Sequence, residues 1–173
     1  MASQVLVAYG SRYGATAEIA ARIGEALREA GLQAEVRAAR DVADLAPYGA
    51  VVLGSGIYAG QWHKDAARLL KRNAEALAGR PVWLFSSGPT GPGDPSELLQ
   101  GWRLPEGLKG VAERVQPRDI ALFGGAIDAG KLNFIERLLV IRLIKAPVGD
   151  FRDWDAIMAW AGTIAAALHA EAA

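Results

Sequence analysis

The chain has no cysteine among its 173 residues, which excludes disulfides, thiolate metal sites and cysteine nucleophiles. It has two histidines, His63 and His169, and no cluster of His, Asp and Glu at metal-ligand spacing, so no metal site is expected. Charge of one sign is also missing: 19 basic residues balance 19 acidic ones, which removes any overall pull toward nucleic acid. A G-x-S-x-G elbow is absent, and with it the usual hydrolase nucleophile. No apolar run approaches the roughly 20 residues that span a bilayer. The N-terminus carries neither a basic n-region nor a long apolar stretch, so no signal peptide and a cytoplasmic location are expected.

What is present is an alternation. Five β-like runs, Gln4–Tyr9, Ala34–Arg37, Ala50–Ser55, Pro81–Ser86 and Ile120–Gly124, are separated by helical patterns. The first, third and fourth are almost continuously apolar, as strands covered on both faces are. Thr16–Ala30 repeats Ile19, Ile23, Leu27 and Ala30 and stops at Gly31. Lys64–Leu77 and Asp153–Ala170 carry similar stripes, the latter with Asp153 as N-cap. Strands alternating with helices of this length predict βαβ units in one three-layer α/β domain covering residues 1–173. Ser87–Gly93, rich in Gly and Pro, reads as an exposed loop, and Lys131–Lys145 as a helix apolar most of the way round.

The connection Gly10–Thr16 follows the first strand and opens the first helix, where unpaired N–H groups and the helix dipole receive anions. Gly10 and Gly14 permit a tight turn, and Ser11 and Thr16 add hydroxyls. Taken alone, it is either a phosphate loop or an ordinary βα turn with a Thr cap. No Lys follows Gly14, so the P-loop pattern fails. The dinucleotide fingerprint fails there too; its near-match, Gly54 to Gly60, lies after the third strand, where it does not belong.

Ser11-Arg12-Tyr13-Gly14-Ala15-Thr16 resembles the phosphate loop of the flavodoxin family, roughly [ST]-x-[TY]-G-x-[TS]. The resemblance implies a five-stranded parallel sheet of order 2-1-3-4-5 with helices on both faces, and FMN held by three loops. A deazaflavin would use the same loops. The implied contacts are Ser11, Arg12, Tyr13, Gly14, Ala15 and Thr16 in the first loop. Gly56, Ile57, Tyr58, Ala59, Gly60 and Trp62 stand in the second, within Gly54–His63. Ser86, Ser87, Gly88, Pro89, Thr90 and Gly91 stand in the third. Tyr58 is the first candidate to stack on the ring and Trp62 the second; His63 is the one candidate for a catalytic side chain.

The order and spacing of the chain, and the segment Phe123–Ala161, are similar to the menaquinone-dependent protoporphyrinogen dehydrogenase branch of that family. This implies a two-electron dehydrogenase in haem biosynthesis, passing electrons to a quinone or a redox partner protein. The alternatives are an electron carrier without its own substrate and a scaffold that has lost its flavin. Shuttle flavodoxins are strongly acidic, and this chain is neutral. They commonly carry Gly after the stacking aromatic, where Ala59 stands here, which favours two-electron chemistry. Residues 131–152 form an expected branch-specific insertion with five basic and two acidic residues among many apolar ones. The insertion reads as a peripheral contact with the inner face of a membrane, as a homodimer surface, or as a helix sunk in the core.

Overall fold

A computed structural model describes residues 4–144 and 147–173; Lys145, assigned to the basic apolar segment above, lies outside them. The main strands are β1 (Gln4–Gly10), β2 (Ala34–Ala38), β3 (Tyr48–Tyr58), β5 (Val82–Ser87) and β6 (Asp119–Phe123), all parallel, in the order β2-β1-β3-β5-β6. A two-residue strand, β4 (Gln61–Trp62), pairs antiparallel with the end of β3. The expected five-stranded order is therefore found, with one addition: part of the expected loop Gly54–His63 is sheet.

Helices cover both faces. α1 (Ala15–Glu29) and α7 (Trp154–Ala172) bury Ile19, Ile23, Leu27, Ile157 and Ile164 against Val5, Val7 and Val52. On the other face α2 (Lys64–Arg72), α3 (Ala74–Ala78) and α5 (Glu106–Val115) close over Leu6, Leu53 and Leu84. A one-turn α4 (Pro95–Leu98) lies between β5 and α5. The expected helix Lys64–Leu77 is two helices because Asn73 leaves helical geometry and its side chain donates to the Leu69 carbonyl. α5 has no counterpart in the sequence reading. Its stripe of Leu108, Ala112 and Val115 is helical, but Gly107 and Gly110 lower the propensity that would announce it.

After β6 the chain forms a second, two-stranded sheet of β7 (Ala126–Ile127) and β8 (Gly149–Asp150). Between them the expected helix Lys131–Lys145 is broken into pieces. A 3₁₀ turn at Ala129–Lys131 precedes α6 (Phe134–Leu138), and Leu139–Ile144 continues as π-helix. Asn133 starts α6 with a reciprocal cap: its side chain accepts the Glu136 N–H, and the Glu136 carboxylate accepts the Asn133 N–H. Phe134 and Ile135 are 80% and 76% exposed, so this turn projects its apolar residues outward rather than into the core. No helix among the described residues is long and apolar enough to cross a membrane.

The layer beneath β3 and β5 is packed around Phe85, whose ring meets Phe123 and Trp160 at centroid distances of 5.9 Å each. A Cβ on Gly54 would stand 2.0 Å from the Phe85 ring, so β3 can cross it only as glycine. Gly54→Ala is expected to destabilise the fold by about 3 kcal/mol through overpacking, read from urea denaturation. A loss below about 0.5 kcal/mol, within the range of an ordinary surface substitution, would show that the Phe85 layer yields.

Candidate functional site

The carboxyl ends of β1, β3 and β5 point the same way, and their three connections meet there. The β1 connection is short and bent by Gly14, which adopts φ 97° and stands as N-cap of α1. The Gly14 N–H donates to Ser11 Oγ at 3.0 Å, which holds the loop curled at the positive end of α1. Thr16 is not the cap. It lies in the first turn of α1, 2% exposed, with Oγ1 aimed at Gly56 of β3. The first N–H groups of the helix have no acceptors within it and face the same opening.

The β3–β4 connection is a tight hairpin. Ala59 and Gly60 both have positive φ, 51° and 74°, the signature of a type I′ turn. Ser55 Oγ fastens its base, accepting the His63 N–H at 2.8 Å and donating to the Gly56 carbonyl. The ring of Tyr58 folds back over the first loop. Its hydroxyl accepts the Arg12 N–H at 2.7 Å, and the ring makes edge contacts with Tyr13 and His63. His63 itself caps α2, its Nδ1 accepting the Asp65 N–H. Trp62 is turned away from the loops. It is 5% exposed within the core, and its Nε1 donates to Ser86 Oγ at 2.8 Å. Ser86, also buried, passes its own hydrogen to the Arg103 carbonyl.

The third connection leaves β5 at Ser87. Gly88 donates to the Phe123 carbonyl and packs on Ile57, while Gly125 donates to the Pro89 carbonyl. Gly88, Pro89 and Thr90 are half-buried at the rim, and Gly91 is buried. The structure thus gathers the first loop, Ile57–Gly60 and Gly88–Thr90 at one opening. It turns Trp62 and Ser86 inward.

Residues 131–152, expected to face a membrane or a second copy or to sink in the core, reach this place as well. Glu136 accepts the Tyr13 hydroxyl and pairs with Arg12 at 2.8 Å, and Arg12 in turn lies over the Tyr13 ring. Lys131 Nζ approaches the Tyr13 carbonyl at 3.5 Å. Arg152, 9% exposed in its side chain, bonds Asp150, Glu18 and the Ala15 carbonyl, tying β8 to the start of α1. The Asp150 carboxyl is held below the ordinary aspartate range by its hydrogen bonds to Arg152. A cavity of about 540 Å³, lined by Tyr13, Ala15, Ile127, Lys131 and Arg152 among others, runs beside the loop. A second, of about 470 Å³, is lined by Trp102, Arg103, Lys109 and Glu113 and by none of the loop residues. The sequence signals only the local start of α6, where Asn133-x-x-Glu136 is a capping box, and not its approach to the first loop.

A family model described as Flavodoxin domain matches residues 6–155. No curated protein matches the chain in sequence. Among solved structures it is similar to a rubredoxin oxygen:oxidoreductase from Desulfovibrio gigas, with TM-score 0.60 and 16% identity over 99% of this chain. The chain spans 37% of the length of that protein. It is similar to a flavodoxin from Pseudomonas aeruginosa at TM-score 0.58 and 20% identity, covering 96% of this chain and 99% of that one. A flavodiiron protein from Giardia intestinalis gives TM-score 0.54 and 14% identity over 96% of this chain and 37% of its own. At these identities the likeness is one of fold.

Two outcomes follow from the geometry. Ala59 bears the cost of left-handed backbone, so Ala59→Gly is expected to stabilise the protein by about 0.5–1 kcal/mol; a lowered thermal midpoint would contradict the I′ turn. The Asp150 carboxyl is lowered on folding, so its pairing contributes fully above the ordinary aspartate pKa and is lost as pH falls through the lowered value. Urea denaturation between pH 7 and pH 3 is expected to show a smaller acid-induced loss for Asp150→Asn than for the wild type. An equal loss in both would remove Asp150 from the account.

Proposed function

The chain belongs to the Flavodoxin domain family, and from that premise we propose that it is a redox protein holding FMN across the three loops at the ends of β1, β3 and β5. The observation that carries this reading is the Arg12 N–H, which already takes an oxygen acceptor, the Tyr58 hydroxyl, at the positive end of α1. An amide placed to donate to one oxygen there suits a phosphate oxygen. Ser11 holds the loop in shape through Gly14, and Thr16 Oγ1 supplies a hydroxyl from the first turn. The residues present fit the group.

In this reading Ser11 to Thr16 would hold the phosphate, the Arg12 N–H donating to it in place of the Tyr58 hydroxyl, and Tyr58 would supply an aromatic ring for the flavin. Ile57, Ala59 and Gly60 would line the ring from the second loop, and Gly88 to Thr90 from the third. Trp62 and Ser86 support the second and third loops from beneath. Bound FMN supplies a ring that takes up and returns electrons together with protons. The protein's part is to bind and orient it and to keep water from its face. A deazaflavin would seat on the same loops and differ in absorbance.

The finer reading is a two-electron dehydrogenase of the protoporphyrinogen dehydrogenase type, delivering electrons to a quinone. Ala59 at a position where a carrier commonly has Gly supports it, as do the neutral chain and the exposed Phe134 and Ile135 beside the site. That apolar turn, interleaved with Lys131, Arg137 and Arg142, suits an acceptor met at a membrane surface. One observation favours a carrier instead: His63 Nδ1 is occupied in capping α2, so the single candidate for acid–base work has a structural task.

Titration of the purified protein with FMN, followed by flavin fluorescence, tests the reading. Thr16→Val is expected to raise the Kd about tenfold, the loss of one hydrogen bond to a charged group, with an unchanged circular dichroism spectrum. Wild-type affinity in the variant would refute the phosphate assignment. A single two-electron wave on potentiometric reduction would support the dehydrogenase, and two separated one-electron waves the carrier.

A further inference from the structure

The first loop carries one cation of its own, Arg12, and that cation is already paired. Its guanidinium lies 2.8 Å from the Glu136 carboxylate, which also accepts the Tyr13 hydroxyl and is fixed by the reciprocal cap with Asn133. The same segment brings a second cation to the loop. Lys131 Nζ stands 3.5 Å from the Tyr13 carbonyl oxygen and 3.8 Å from where a Cβ on Gly14 would be. Among the described residues no carboxylate lies within ion-pair distance of it. The acids around the adjoining cavity have other partners: Asp150 and Glu18 pair with Arg152, and Asp128 accepts the Gly130 N–H.

This placement opposes the helix. The N-terminus of α1 carries the positive end of its dipole, so an ammonium beside Gly14 raises the energy unless an anion joins them. We propose that Lys131 is the counter-charge of the phosphomonoester bound at the first loop, and that Glu136 keeps Arg12 from that role. The inference rests on the flavin reading above and deepens it: the phosphate is held by neutral donors of the loop and by one cation delivered from the insertion. An ammonium on a flexible stem can follow the phosphate as a point charge, whereas the Arg12 fork is fixed by Glu136 and the Tyr13 ring. Lys131 thereby selects the phosphorylated flavin over riboflavin.

Parallel titrations of the wild type, Lys131→Gln and Glu136→Gln with FMN and with riboflavin test this. Lys131→Gln is expected to raise the FMN Kd about tenfold, as loss of a charge-assisted contact does, and to leave riboflavin unchanged. Glu136→Gln keeps the cap, since Gln serves in a capping box, and frees Arg12; the FMN Kd is expected to fall about threefold, again without effect on riboflavin. Wild-type FMN affinity in Lys131→Gln, or equal losses for both flavins, would overturn the assignment while leaving the flavin reading in place. Weaker FMN binding by Glu136→Gln would overturn the masking of Arg12. A wild-type protein that binds neither flavin would overturn the flavin reading and this inference together.

Discussion

The left-handed turn at Gly14 is the constraint on which the site depends. It ends β1 and starts α1 within four residues, so the strand's carboxyl end and the helix's positive end share one opening. A residue with a Cβ would resist that backbone, and a longer connection would let the helix start elsewhere. Once the turn is made, the N–H groups of Arg12 and of the first helical turn face outward, and the other two loops acquire a target. Tyr58 reaches 46 residues back to place its hydroxyl on Arg12, and Thr16 is buried against β3 for the same reason.

The insertion between β7 and β8 is built onto that turn. Arg152 grips the start of α1 from one side, and Glu136 holds Tyr13 and Arg12 from the other. The segment is therefore anchored by charge at Glu136 and, just past β8, at Arg152, while Phe134 and Ile135 face outward. Charge attaches the segment, and apolar surface is what it presents. This division explains why Phe134 and Ile135, in a stretch so rich in apolar residues, are not core, although Leu132 beside them is buried. It also places the apolar face next to the loops rather than across the molecule.

Strands and their order were legible because parallel strands buried on both faces read as continuous apolar runs, and all five main strands are found within two residues except at the carboxyl end of β3. That strand runs on through Gly56–Tyr58 because the Ala59-Gly60 turn folds it back on Trp62. Periodicity does not register a hairpin that short. The same blindness made Trp62 look like a second stacking ring, when alternation along β4 turns it under the sheet toward Ser86. α5 was hidden by its two glycines, and the break in the second helix by a single Asn. The anion-ready loop could be read because its chemistry is local. Lys131, Glu136 and Arg152 could not, because what places them is a fold-back across more than a hundred residues.

In the proposed binding mode the first loop holds the FMN phosphomonoester as its dianion. The ³¹P resonance of FMN added to the protein reads this directly. The account predicts a bound signal displaced from that of free FMN and constant between pH 8 and pH 5, because the loop amides and Lys131 favour the charged form. A signal that still titrates near pH ~6, as a solvated phosphomonoester does, would contradict it.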